Sequence, residues 1–196
     1  MWKSAQKQQK RIQANIMLNK DNKEPQTIVL IGTKKGSGTT YITNNLAIEF
    51  AKIYSKILII DTDIKNKTLT NNIAEKGSEG ITDIINSRNI ENIDNFIQKT
   101  NNQNIYILPA GRNKIGEEAF LTENIIKGLE KEYDIILIDT TSINENILPI
   151  CLTSIADATV LIAESGKVKQ EDIVKAKMEI ENVGGKISGI ILNKNI

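Results

Sequence analysis

Six short apolar runs, at 27–31, 56–60, 104–108, 133–138, 158–163 and 187–192, divide the chain at nearly regular intervals. None alternates apolar with polar positions over its length, which is the pattern of strands covered on both faces. Between them lie stretches with apolar residues at helical spacing, at about 40–54, 117–131 and 169–183. Alternating strand and helix signals predict an α/β fold, a mostly parallel central sheet with helices on both faces. Residues 64–103 are the least regular part, punctuated by Gly77-Ser78-Glu79-Gly80 and flanked by short helical pieces at 81–85 and 90–97. Residues 1–24 read as a separate basic helical segment with a narrow apolar stripe at Ile12, Ile16 and Met17, broken before Pro25. Residues 25–196 then read as one domain.

Composition narrows the function classes. With 25 basic and 24 acidic residues in 196, the net charge is +1, and aromatics are 4%; neither a global field nor a stacking platform points to nucleic acid. There is no histidine, which excludes Ser-His-Asp, Cys-His and histidine-ligated metal chemistry. The single cysteine, Cys151, permits no internal disulfide and suits a reducing compartment. No apolar stretch approaches the ~20 residues of a membrane span. The expected location is the cytoplasm. Lys3, Lys7, Lys10, Arg11 and Lys20 could bring the N-terminal segment to an anionic membrane surface or a partner's tail.

The candidate chemistry sits at the ends of the strands. Thr33-Lys34-Lys35-Gly36-Ser37-Gly38-Thr39-Thr40 follows the first run and opens a helical pattern. Strand, glycine-rich turn and helix aim backbone N–H groups at an anion. Against the phosphate-loop pattern G-x-x-x-x-G-K-[ST], Gly38 and Thr40 are in register, Thr33 takes the first glycine and Thr39 takes the lysine. Asp61 and Asp63 close the second run and could orient a hydroxyl or accept its proton; Asp139 closes the fourth and, with the Thr40 hydroxyl, could hold Mg²⁺. Asn193, past the last run, offers a donor and an acceptor to an adenine edge.

Together these pieces resemble the bacterial tyrosine kinases of capsule and exopolysaccharide synthesis, relatives of the Min-type and partition ATPases with a deviant phosphate loop. Gly36–Thr40 followed by Asn45-Leu46-Ala47 looks like the family's loop and helix. Ile57-Leu58-Ile59-Ile60-Asp61-Thr62-Asp63 resembles its Walker A′ motif, Leu108-Pro109-Ala110-Gly111 its L-P-A-G, and Tyr133-Asp134-Ile135-Ile136-Leu137-Ile138-Asp139-Thr140 its Walker B. Gly189-Ile190-Ile191-Leu192-Asn193 resembles its final strand. The resemblance implies a P-loop NTPase-like fold and ATP or ADP with Mg²⁺. It also implies a transmembrane activator of the polysaccharide chain-length type, a protein-tyrosine substrate and homo-oligomers.

Departures from the family pattern fall on several parts at once. Thr39 replaces the phosphate-binding lysine, D-T-P-P becomes Asp139-Thr140-Thr141-Ser142, and Lys65 stands for the arginine after Walker A′. The E-x-x-R-x-x-R assembly pattern is reduced to Lys7, Lys10 and Gln13, and the only tyrosines are Tyr41, Tyr54, Tyr106 and Tyr133. The expected protein is a nucleotide-binding domain of weak or no kinase activity, a pseudokinase regulating capsule or exopolysaccharide assembly. Two alternatives stay open: an active ATP-dependent tyrosine kinase with Lys34 or Lys35 as a displaced lysine, and a Min-like switch that dimerises around ATP through Lys34.

Overall fold

In the computed structural model, residues 11–14, 16, 27–87, 92–112 and 121–194 are described. Six strands run parallel: β1 (Thr27–Gly32), β2 (Ile57–Asp61), β4 (Ile105–Leu108), β5 (Ile135–Ser142), β6 (Ala158–Glu164) and β7 (Ile187–Asn193). A two-residue strand, β3 (Gln98–Lys99), pairs antiparallel with β4. The sheet order is β3-β4-β2-β5-β1-β6-β7. The helices are α1 (Thr39–Phe50), α2 (Thr68–Ile73), α3 (Ile81–Ser87), α4 (Leu121–Leu129), α5 (Leu148–Ile155) and α6 (Gln170–Asn182). Residues 11–14 and 16 are also helical. Lys3, Lys7, Lys10, Met17 and Lys20 of the N-terminal segment lie outside the described residues, as do 117–120 and Ile90.

Because successive strand side chains point to opposite faces, the central strands feed two cores. Val29, Ile31, Leu58, Ile60, Ile136 and Ile138 face one side, under Ile84 of α3, Ile125 of α4, Leu152 of α5 and Ile180 of α6. Ile28, Leu30, Ile57, Ile59 and Leu137 face the other, under Leu46 and Phe50 of α1, Leu69 of α2 and Ile16. Each such side chain, fully buried, contributes roughly 1.5–3 kcal/mol. This two-sided burial is why these strands read as unbroken apolar runs.

Three features depart from the sequence expectation. β7 is an edge strand, with Ile190 44% and Leu192 61% exposed, so its apolar run is not covered on both faces. β3 is a polar dipeptide without periodicity. The helix α5 is an apolar run whose start is marked only by Pro149 in its first turn, where proline's missing N–H costs nothing.

Candidate functional site

Parallel strands deliver their carboxyl ends to one rim of the sheet, and β1, β2 and β5 bring the loop and the three aspartates there. The loop after β1 turns through two left-handed glycines, Gly36 at φ +83° and Gly38 at φ +89°. Gly38 caps α1 without a side-chain hydrogen bond. The backbone N–H groups of Gly36, Gly38, Thr39 and Thr40 are bonded to no described residue. The loop itself is held from behind: the Ser37 hydroxyl donates to the Lys34 carbonyl at 2.6 Å, and Thr33 N–H donates to the Ile162 carbonyl at 2.8 Å. A fixed loop with open N–H groups at a helix N-terminus is an anion cradle.

The cradle opens on a cleft of about 350 Å³ bordered by the loop, Asp63, Asn66, Thr68, Thr140, Thr141, Ser142 and Glu145. Thr39, in the lysine slot, borders it too, but a Cβ on Gly32 would come within 2.9 Å of the Thr39 hydroxyl. The short side chain therefore lies back against β1.

Behind the loop, Asp139 is fully buried in the interior of β5 rather than at a helix cap. Its carboxylate accepts hydrogen bonds from the Thr40 hydroxyl at 2.8 Å and the Thr43 hydroxyl at 3.0 Å. Desolvation, then the neighbouring Asp61 charge, pushes its pKa up to about 8, and the two threonine hydrogen bonds only partly oppose this. Asp61 stands opposite Asp139 in the β2–β5 register. Its carboxylate is buried and accepts from Thr70 N–H (2.8 Å), the Thr70 hydroxyl (2.7 Å) and Asp63 N–H (2.9 Å). Burial raises its pKa as well, against those hydrogen bonds. Of the pair read as hydroxyl-orienting, Asp63 borders the cleft and Asp61 does not.

The other predicted residues divide. Lys34 forms an ion pair with Asp172 of α6 at 2.6 Å. That bond is the main cause holding the Asp172 carboxyl below its ordinary value. Lys35 borders the cleft. Asn193 donates its side-chain N–H to the Ser37 carbonyl at 2.9 Å, so it braces the loop from β7 and does not border the cleft. Thr43, Thr70 and Asp172 escaped the sequence reading. Thr43 had a signal, since it follows Thr40 by three positions and shares its helix face. Thr70 and Asp172 had none.

The donor set suits a nucleotide phosphate with Mg²⁺. Open N–H groups meet phosphate oxygens, and Mg²⁺ needs one or two protein oxygens beside phosphate and water. The described residues hold no cluster of three metal-ligating acids.

A family profile described as AAA domain matches residues 25–186. The chain belongs to that family. Among its relatives, tyrosine-protein kinase CpsD of Streptococcus agalactiae is 27% identical over 188 residues, covering 93% of this chain and 80% of that one. Among solved structures, the chimerical protein CapA2B2 superposes with a TM-score of 0.85 at 23% identity, over 96% of this chain and 84% of that one. The septum site-determining protein MinD complexed with Mg-ADP, from Pyrococcus horikoshii OT3, gives a TM-score of 0.71 at 23% identity, over 86% and 70%. The resemblance to the bacterial tyrosine kinases thus holds in sequence, and the likeness to their Min-type relatives in fold. The domain is P-loop NTPase-like, and among the described residues no helix is long and apolar enough to cross a membrane.

Proposed function

We propose that this domain binds ATP or ADP with Mg²⁺ and works as a weakly active or inactive kinase-like regulator of capsule or exopolysaccharide assembly. The observation that carries the reading is the set of open N–H groups of Gly36, Gly38, Thr39 and Thr40, with Asp139 bonded to Thr40 behind it and Thr39 in the lysine slot. In this reading the loop amides hold the phosphates, and Thr40 and Asp139 hold the Mg²⁺. The bound cation supplies charge neutralisation on phosphate oxygens. Asp63, at the cleft wall, orients a hydroxyl where one is presented, and Asp61 fixes Asp63 through the 2.9 Å bond to its N–H. Asn193 fixes Ser37 and through it the loop.

Loss of the lysine removes charge aimed at the transferring phosphoryl group, where such a contact is worth about 3–4 kcal/mol. Binding by amides survives that loss better than turnover does. The regulatory role then lies in protein contacts, with a transmembrane activator as the partner. Lys34 is held by Asp172 of its own chain, and a dimerising switch that used it would first have to break that ion pair.

Calorimetric titration of the nucleotide-free protein with Mg·ATP and Mg·ADP tests this. Wild type is expected to bind in the micromolar range or weaker, and Thr39→Lys about tenfold tighter, because the cleft beside Thr39 has room for the longer chain. No binding by either form would refute the reading. Rapid transfer of phosphate from ATP to a tyrosine substrate by wild type would refute its pseudokinase part alone.

A further inference from the structure

The phosphate loop contains two lysines of its own, and the fold gives them different surroundings. Lys34 is committed to Asp172, whose carboxylate also accepts from Lys169 N–H at 3.2 Å. Lys35, one residue on, is exposed at the mouth of the same cleft and makes no hydrogen bond or ion pair with any described residue.

The charges around the cleft give this difference a consequence. Lys34, Lys35, Asp63 and Glu145 border it, and Asp61 and Asp139 lie buried behind. With Lys34 matched by Asp172, removing Lys35 would leave carboxylates alone facing an incoming phosphate. Like charges repel more strongly in a partly desolvated cleft than in bulk water.

We infer that Lys35 does the work of the missing lysine, supplying from the start of the loop the positive charge that Thr39 cannot supply from its end. This rests on the nucleotide-binding reading above and names the side chain that adds charge to the amide cradle. A lysine can make this exchange because its ammonium acts as a point charge on a flexible four-carbon stem, so its attachment point can shift within reach of the same anion. The ligand class is a nucleoside di- or triphosphate, whose clustered negative charge such a lysine matches.

The test is calorimetric titration of the full chain with Mg·ADP and Mg·ATP at two ionic strengths. Lys35→Ala is expected to weaken binding about tenfold or more and to flatten its salt dependence. Lys35→Arg keeps the charge and stays within about threefold of wild type. Lys127→Ala, which removes an exposed lysine paired with Glu123 on α4, leaves affinity unchanged. Adding Thr39→Lys to Lys35→Ala is expected to gain more than the tenfold that Thr39→Lys gains in wild type, a non-additivity that a merely structural role for Lys35 would not produce. If wild type binds and Lys35→Ala binds equally well, the role given to Lys35 falls and the nucleotide reading stands. If wild type binds no nucleotide, both fall together.

Discussion

Gly80→Ala is expected to destabilise the protein by about 3 kcal/mol or more, lowering Tm by roughly 6–12 °C at this chain length. A Cβ on Gly80 would lie 2.5 Å from the Pro109 carbonyl carbon and 2.7 Å from the Gly111 nitrogen, and closer still to the Pro109 oxygen. All three atoms are backbone, so no side chain can swing aside. The backbone there is committed as well: Ile81 N–H donates to the Pro109 carbonyl at 2.9 Å, and Thr82 N–H to the Ala110 carbonyl at 3.2 Å. Making room for one methyl means separating the start of α3 from the end of β4. Gly77→Ala is the informative comparison, because its Cβ meets nothing within 4 Å and only its φ of +76° opposes the change. That variant should lose about 1–2 kcal/mol. Urea unfolding of both would decide; equal, small losses would show that the turn relaxes freely.

The same turn reaches the candidate site. Ala110 N–H donates to the Thr70 hydroxyl at 2.9 Å, and that hydroxyl donates to Asp61. Lys67, held at a left-handed φ of 50°, donates its ammonium to the Gly111 carbonyl at 2.6 Å. The L-P-A-G segment, legible in sequence only as a resemblance, thus acts as a buttress for the acidic rim.

What the sequence made legible follows from which constraints are local. The strands β1, β2 and β5 are buried on both faces, so their middle residues are apolar in unbroken succession and the run stood out. β7 carries a similar run, yet its edge position is a property of strand order, which no single run encodes. Gln98–Lys99 pairs through backbone groups alone and so leaves no side-chain pattern. The site divides in the same way. The loop, Thr40, Asp63 and Asp139 could be placed on one rim because each follows the end of a legible apolar run at motif spacing. The partner of Lys34 was not, because Asp172 lies 138 residues away on another element. That one contact separates the two loop lysines, and no sequence argument could have supplied it.

Asp139→Asn should stabilise the nucleotide-free protein at neutral and alkaline pH, and the gain over wild type should grow by about 4 kcal/mol between pH 5 and pH 8. The folded state holds the Asp139 proton up to about pH 8, whereas the unfolded chain releases it near the ordinary carboxyl value of 3.8. Between those limits the folded state binds more protons than the unfolded one, so wild-type stability falls as pH rises and levels off above the folded pKa. Asn keeps a side chain of the same shape between the Thr40 and Thr43 hydroxyls and carries no proton to lose. Urea unfolding of both proteins across this range is the measurement, and a difference that does not change with pH would reject the account. The same proton bears on function. A divalent cation brought to Thr40 and Asp139 favours the ionised carboxylate, so Mg·nucleotide binding at pH 7 should release close to one proton. Calorimetry in two buffers of different ionisation enthalpy would register that release in wild type and its loss in Asp139→Asn. Binding without proton release would place the cation away from Asp139.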